Sequence, residues 1–160
     1  MMRRPLRWML GAAAVVLMAT SYIYYAAAFK TTAYIDPSDT QLVRLGERVY
    51  ATHCASCHGA NREGESNWRQ RKPNGRLPAP PHDVSGHTWH HPDQVLFDIV
   101  KNGLVPGVTA PAGYESDMPA YRAALTDKEI RASLAYIKNA WPKKALTVQK
   151  QLTQEYQKAE

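Results

Sequence analysis

Two cysteines three positions apart, followed directly by a histidine, constrain this sequence more than any other feature. Residues 54–58 read Cys-Ala-Ser-Cys-His, and Cys54 and Cys57 are the only cysteines in the chain of 160 residues. A C-x-x-C-H run is the attachment signature of c-type haem. Two thiols on one helical turn can bond to the two vinyl groups of a porphyrin, and the next side chain then falls under the iron. The motif therefore predicts one haem c, attached covalently through Cys54 and Cys57, with His58 as the proximal iron ligand.

Three other interpretations of the cysteine pair stay open at this point. A C-x-x-C pair is also the redox disulfide of thioredoxin-like proteins, but it then opens a helix after a strand, and no β-α-β pattern surrounds this one. Half a zinc site would need its remaining ligands from histidines alone. The third is a chance occurrence. We favour haem because the N-terminal sequence indicates export, and c-type haem is attached outside the cytoplasmic membrane.

The first 29 residues have the composition of a membrane anchor or a signal peptide. Three arginines in the first seven residues precede a run of 22 residues, Trp8 to Phe29, without a charged side chain. As a helix this run would measure roughly 33 Å, enough to cross a hydrocarbon core of about 30 Å. Basic residues before the span predict a single-pass N-terminal anchor, with the domain on the periplasmic side of the inner membrane. The alternative is a soluble periplasmic protein after cleavage at the small residues Ala26 and Ala28.

The rest of the chain is close to neutral. Of 20 Lys and Arg residues, three belong to the N-terminal cluster. The positive charge of the other 17 is largely balanced by 14 Asp and Glu. A mild basic excess suits docking with an acidic protein and is no nucleic-acid signature, which needs a clustered basic face. The charge balance therefore predicts no nucleic acid as a partner, while the predicted haem and the export signal lead us to expect redox proteins, membrane or periplasmic oxidoreductases above all.

A sixth iron ligand follows by elimination. Of the five methionines, four lie in the leader, so Met118 is the only one in the globular part. It lies between two predicted helices, and Pro119 helps to fix the backbone that carries its sulfur. A thioether ligand raises the reduction potential of a haem. The rival ligands are the histidines of the preceding loop, His82, His87, His90 and His91.

Three helices and no strand are predicted around the motif. The helices run from about Asp39 to His53, from about Pro92 to Asn102, and from Asp127 to Trp141. A capping box that begins at Thr126 starts the last one. Gly46 is expected to allow a close helix crossing, with Tyr136 as its partner. Residues 61–90 are expected to form a long ordered loop that packs on the haem.

Together these residues resemble the class I cytochrome c family. The resemblance covers about residues 38–142 and is carried by the Gly46/Tyr50 helix, Cys54-Ala-Ser-Cys57-His58, the Pro80 region, Met118-Pro119, and the final helix with Tyr136-Ile137. It implies an all-α class I cytochrome c fold, with three to four helices and long loops around one covalent haem, here preceded by one N-terminal hydrophobic helix. The predicted domains are 1–29 signal anchor or signal peptide, 30–37 linker, 38–142 cytochrome c domain and 143–160 polar, solvated C-terminal tail.

The resemblance also implies a role for one residue of the loop, and the residues themselves suggest a role for a second. In that family a proline carbonyl after the motif orients the proximal histidine, and Ala79-Pro80-Pro81 looks like that segment, so Pro80 is implied as its source. Such a hydrogen bond fixes the imidazole and raises its basicity. Trp89 is expected to pack on the haem or its propionate edge.

The histidines of this loop depart from the simplest members of the family. One interpretation is a second metal site for copper or zinc, formed by His82, His87, His90 and His91 with Asp83. The interpretation that we favour gives them ordinary roles, as hydrogen-bond donors to propionates, helix caps or solvent-facing groups.

The resemblance implies an electron carrier and no enzyme: a periplasmic monohaem cytochrome that works by outer-sphere transfer through a His/Met-ligated haem. One alternative is a redox subunit of a membrane or periplasmic oxidoreductase complex. Another is a haem- or metal-handling protein that uses the His82–His91 loop. A catalytic haem would need an open or displaceable sixth position.

Overall fold

A computed structural model of the protein describes residues 13–22 and 34–159. The chain divides into two compact units, Met1–Ala33 and Tyr34–Glu160. In the first unit, residues 13–22 are helical. Within these two described ranges, no helix combines the length and the apolar character that a membrane crossing requires. Most of the anchor predicted at residues 8–29, and the first part of the predicted linker, lie outside the described residues.

The second unit is built from helices and long loops. Its helices are α1 (Thr40–His53), α2 (Ala55–His58), a 3-10 turn (Thr88–His90), α3 (Asp93–Asn102), α4 (Asp127–Asn139) and α5 (Lys143–Ala159). No β-strand forms in the described part of the chain. The prediction of an all-α fold is confirmed.

The helix starts follow the capping rules. The Asp39 carboxylate accepts hydrogen bonds from the backbone N–H groups of Gln41 and Leu42, so α1 begins one residue later than predicted. Helix α3 also begins one residue later than predicted, directly after Pro92, and no side-chain hydrogen bond caps it. At α4 the predicted capping box is complete, because Thr126 accepts from the Glu129 N–H while the Glu129 carboxylate accepts from the Thr126 N–H.

Helices α1 and α4 cross at Gly46. A Cβ atom on Gly46 would overlap the backbone carbonyl of Ala132 and would lie 2.9 Å from the Cβ of Tyr136. One turn further along α1, the rings of Tyr50 and Tyr136 pack with their centroids 5.3 Å apart. The predicted close crossing is confirmed, and the crossing fixes the end of α1, which carries the cysteine motif.

The prediction of a solvated tail after residue 142 is wrong. Residues 143–159 form α5, and the side chains of Gln149 and Thr153 are fully buried. Gln149 Nε2 donates to Asp93 Oδ1 over 2.7 Å, and the Asp93 N–H donates to Thr153 Oγ1 over 3.1 Å. The inward face of α5 is therefore partly polar and binds the start of α3. Apolar residues of this helix also reach the core, since Ala145 is buried there and Leu146 packs against it, but an apolar pattern does not indicate the buried polar contacts.

Candidate haem site

The cysteine motif directly follows α1 and includes the short helical turn α2. The Cys54 N–H donates to the Tyr50 carbonyl and the His58 N–H donates to the Cys54 carbonyl, each over 2.9 Å. Gly59, with φ +80°, then ends α2. Cys54 is partly buried and Cys57 is exposed. Burial and the neighbouring Cys57 raise the pKa of the Cys54 thiol to about 11, so this side chain is a neutral thiol at physiological pH.

The His58 imidazole is buried, and one of its two nitrogens is hydrogen-bonded to the backbone. Its Nδ1 lies 2.8 Å from the carbonyl oxygen of Pro80. A carbonyl only accepts hydrogen bonds, so Nδ1 carries the proton and Nε2 presents its lone pair. Burial also lowers the pKa of His58, which favours the neutral form that binds metals. The structure thus places the Pro80 carbonyl where the family resemblance implies it.

A glycine brings the proline segment close to His58. The Gly64 N–H donates to the His58 carbonyl over 2.8 Å, and the backbone at Gly64 has φ +70°. A Cβ atom on Gly64 would lie only 2.7 Å from the Pro80 carbonyl carbon. Sequence reasoning missed Gly64. The only available signal was a glycine six residues after His58 in a loop that must return to it.

Tyr50 secures the end of the motif from α1. Its hydroxyl donates to the Gly59 carbonyl over 3.0 Å and lies 3.3 Å from the His58 carbonyl oxygen. Burial, together with the nearby Cys54, raises the pKa of this phenol well above its ordinary value, so the hydroxyl keeps its proton. Tyr50 and Pro80 therefore fix the backbone and the ring of His58 separately.

The segment that carries Met118 is anchored beside the cysteines. The Tyr121 hydroxyl donates to the His53 carbonyl over 2.6 Å, and the Tyr121 N–H donates to the Val100 carbonyl over 3.0 Å. The pKa of Tyr121 is raised by burial and by the nearby Cys54 and Cys57. Met118 itself is partly buried, and its N–H donates to Ser116 Oγ over 3.0 Å. Ligation of iron by Met118 stays a prediction.

The loop after the motif also reaches the Met118 segment. Arg76 forms an ion pair with Asp117, the residue before Met118, and its Nε lies 3.6 Å from a Glu115 carboxylate oxygen. Sequence reasoning missed this link. The contact joins residues 41 positions apart, which no local pattern can indicate.

Comparison with known proteins supports a haem site at the cysteine motif. Residues 41–137, more than half of the chain, match the family described as "Cytochrome C oxidase, cbb3-type, subunit III". The chain belongs to this cytochrome c family. All six predicted site residues lie within the matched range of the cytochrome c domain: Cys54, Cys57, His58, Pro80, Trp89 and Met118.

The chain is also similar to curated proteins called "Cytochrome bc1 complex cytochrome c subunit" from Mycobacterium bovis and Mycobacterium tuberculosis. The identity is 38% over 66 residues, which is 39% of this chain and 24% of the bovis protein, and the match to each of two tuberculosis strains has the same values. The chain thus spans about a quarter of the length of these relatives. No solved structure matches the chain.

Membership of this family implies covalently bound haem c, and the residues of the cytochrome c domain fit it. Two thiols one helical turn apart can form the thioether bonds, and His58 offers a neutral Nε2 whose opposite nitrogen is already hydrogen-bonded. Bound there, the group supplies an iron that cycles between ferric and ferrous states.

The loop histidines do not gather into a metal site. His82 packs on His58, His87 stacks on Trp68 with ring centroids 5.6 Å apart, and His90 packs on Trp89 at 3.7 Å. Across residues 13–22 and 34–159, no three His, Cys, Asp or Glu side chains converge as metal ligands would. These contacts are packing between rings, so the roles that we favour for the loop histidines stay predictions, and the structure gives a second metal centre no support.

Trp89 is engaged within its own loop. Its Nε1 donates to the Val84 carbonyl over 3.3 Å, and its ring lies on His90. The indole is partly buried against the hydrophobic core. The contact that we predict between Trp89 and the haem stays a prediction.

Proposed function

We propose that this protein is a class I monohaem cytochrome c that carries electrons through an iron ligated by His58 and Met118. One observation carries the proposal: the Tyr121 hydroxyl bonds to the His53 carbonyl over 2.6 Å, next to Cys54. This bond holds the segment with the single methionine of the domain beside the haem attachment site. With both axial positions filled, the iron needs no substrate, and the rigid site favours outer-sphere transfer over catalysis.

The optical spectrum of the ferric protein tests this ligand pair. We expect a weak charge-transfer band in the far red from the methionine–iron bond, and we expect Met118→Ala to abolish it. Tyr156→Phe, which alters a partly exposed side chain of α5, is the control and should keep the band. Carbon monoxide binding to the reduced wild-type protein at neutral pH would contradict the proposal, because it indicates an open or readily displaced sixth position.

A second proposal concerns the setting of this electron transfer. The similarity to cytochrome bc1 complex cytochrome c subunits favours a role as a redox subunit of a larger oxidoreductase complex. The basic N-terminal cluster and the uncharged run after it favour the periplasmic side of the inner membrane, with the N-terminal segment as anchor. Purification of the native protein in mild detergent tests both parts. Co-purification of other haem or copper subunits and an intact N-terminal peptide are expected; a monomer without residues 1–28 would contradict both.

A further inference from the structure

The imidazole of His82 lies face to face with the imidazole of His58. The ring centroids are 3.9 Å apart and the planes are inclined by 25°. This is the distance of van der Waals contact between flat rings, so the two imidazoles pack as a stacked pair. His82 follows Pro80 by two residues, and both reach His58 from the same stretch of loop.

Three contacts hold His82 in this position. Its Nδ1 lies 3.0 Å from Oγ1 of Thr88, a buried residue in the 3-10 turn. Its backbone N–H donates to the Arg62 carbonyl over 2.8 Å. Its backbone carbonyl accepts from Trp141 Nε1 over 2.8 Å. The ring therefore packs on His58 from a backbone that is fixed on both sides and cannot readily swing away.

We propose that His82 is a positioning residue that sets the orientation of the proximal imidazole plane. The hydrogen bond to Pro80 restrains His58 at Nδ1, the iron would restrain it at Nε2, and the Cβ–Cγ bond holds it at Cγ. All three restraints act at the edge of the ring and close to its plane, where they resist tilting of the plane only weakly. A flat neighbour packed on the face of the ring opposes that tilting directly. The inference rests on His58 as the proximal ligand, as in the proposed function.

The experiment compares holoprotein variants of the full chain, matured in a host that attaches c-type haem. His82→Leu removes the flat ring, and His82→Phe keeps a flat ring without the nitrogens. Tyr156→Phe, on the exposed side of α5, is the control. The readouts are the electron paramagnetic resonance g-values and the haem methyl shifts of the ferric protein, since both depend on the plane of the axial imidazole.

We expect His82→Leu to shift the g-values and the spread of the haem methyl resonances, while His82→Phe and Tyr156→Phe stay close to the wild type. Rescue by phenylalanine distinguishes stacking from a general structural role. Wild-type g-values in His82→Leu, or equal shifts in the leucine and phenylalanine variants, would overturn the proposal.

If His82→Leu yields no holoprotein, His82→Gln takes its place, because glutamine is polar but has no ring. A shift in His82→Gln with none in His82→Phe supports the proposal, and wild-type values in His82→Gln overturn it. Failure of the proposed function is visible separately: the wild-type protein would then lack haem or show another axial ligand before any variant is compared.

Discussion

The ammonium group of Lys138 lies 2.8 Å from both carboxylate oxygens of Asp93, and both side chains are almost completely buried. The same carboxylate accepts from the Ile35 N–H over 2.6 Å. Desolvation lowers the pKa of Lys138 to about 8, against the attraction of Asp93. The pair therefore joins the start of the domain to helices α3 and α4, and breaking it leaves an unpaired charge away from water.

Removal of one partner from this pair should destabilise the domain strongly. We expect Lys138→Met to lower the free energy of unfolding by about 3–5 kcal/mol, because Asp93 is left buried without its counter-charge. The double variant Lys138→Met/Asp93→Asn should recover part of this loss. Lys150→Met is the control, since Lys150 is exposed, lies 5.1 Å from the centre of the Tyr34 ring and takes no part in the buried pair. Chemical denaturation followed by circular dichroism measures all of these variants. A single variant as stable as the control would show that the pair contributes little.

The helix crossing at Gly46 gives a second prediction. Gly46→Ala should lower stability by about 1–3 kcal/mol, because the added methyl group meets the Ala132 carbonyl and forces α1 and α4 apart. Helix propensity alone predicts the opposite sign, a gain of about 1 kcal/mol. Glu47→Ala, on the exposed side of the same helix, is the matched control. Denaturation midpoints decide the sign, and a Gly46→Ala variant more stable than wild type would refute the packing argument.

Tyr121 provides a test of how the Met118 segment is held. Tyr121→Phe removes the hydroxyl that bonds to the His53 carbonyl, at a cost of about 1 kcal/mol in stability. In the proposed His/Met site, we expect a weaker methionine–iron charge-transfer band and measurable carbon monoxide binding in the reduced state. Tyr156→Phe should change neither property. If Tyr121→Phe kept the full band and bound no carbon monoxide, this hydrogen bond would not position the ligand.

The capping box of α4 predicts a pH dependence in the acid range. Hydrogen bonds from Thr126 lower the pKa of Glu129 below its ordinary value of 4.5. The unfolded chain therefore takes up this proton more readily than the folded protein, so the contribution of Glu129 is present above pH 4.5 and is lost as the pH falls through the folded-state value. We expect Glu129→Gln to flatten the acid limb of the stability curve, and Glu47→Gln, on the exposed side of α1, is the control. Thermal unfolding between pH 2 and 6 measures this difference, and identical acid limbs in the two variants would contradict it.

The sequence reveals those parts of the fold that depend on local rules. The C-x-x-C-H spacing, the Thr126–Glu129 capping box and the absence of strand patterns each act over a few residues, so they can be read without a structure. The Gly46 crossing was also predictable, because a glycine inside an amphipathic helix needs a reason to offset its cost in helix stability.

The contacts that shape the site arise over longer separations. His82 stacks on a ring 24 positions earlier, and a run of four loop histidines says nothing about which of them returns to His58. The docking of α5 on the domain was missed because Gln149 and Thr153 are buried as hydrogen-bonding groups. Hydrophobic patterning ranks such side chains as solvent-facing, so only the position of Asp93 in the folded domain explains their burial.

The central claim is that one haem is bonded to this chain through Cys54 and Cys57. Intact mass spectrometry of protein matured in a haem-competent host, combined with thiol alkylation, tests it most directly. The account predicts a red protein whose mass exceeds that of the polypeptide by one haem and whose two cysteines resist alkylation under denaturing conditions. A colourless protein of polypeptide mass, with both cysteines alkylated, would contradict it.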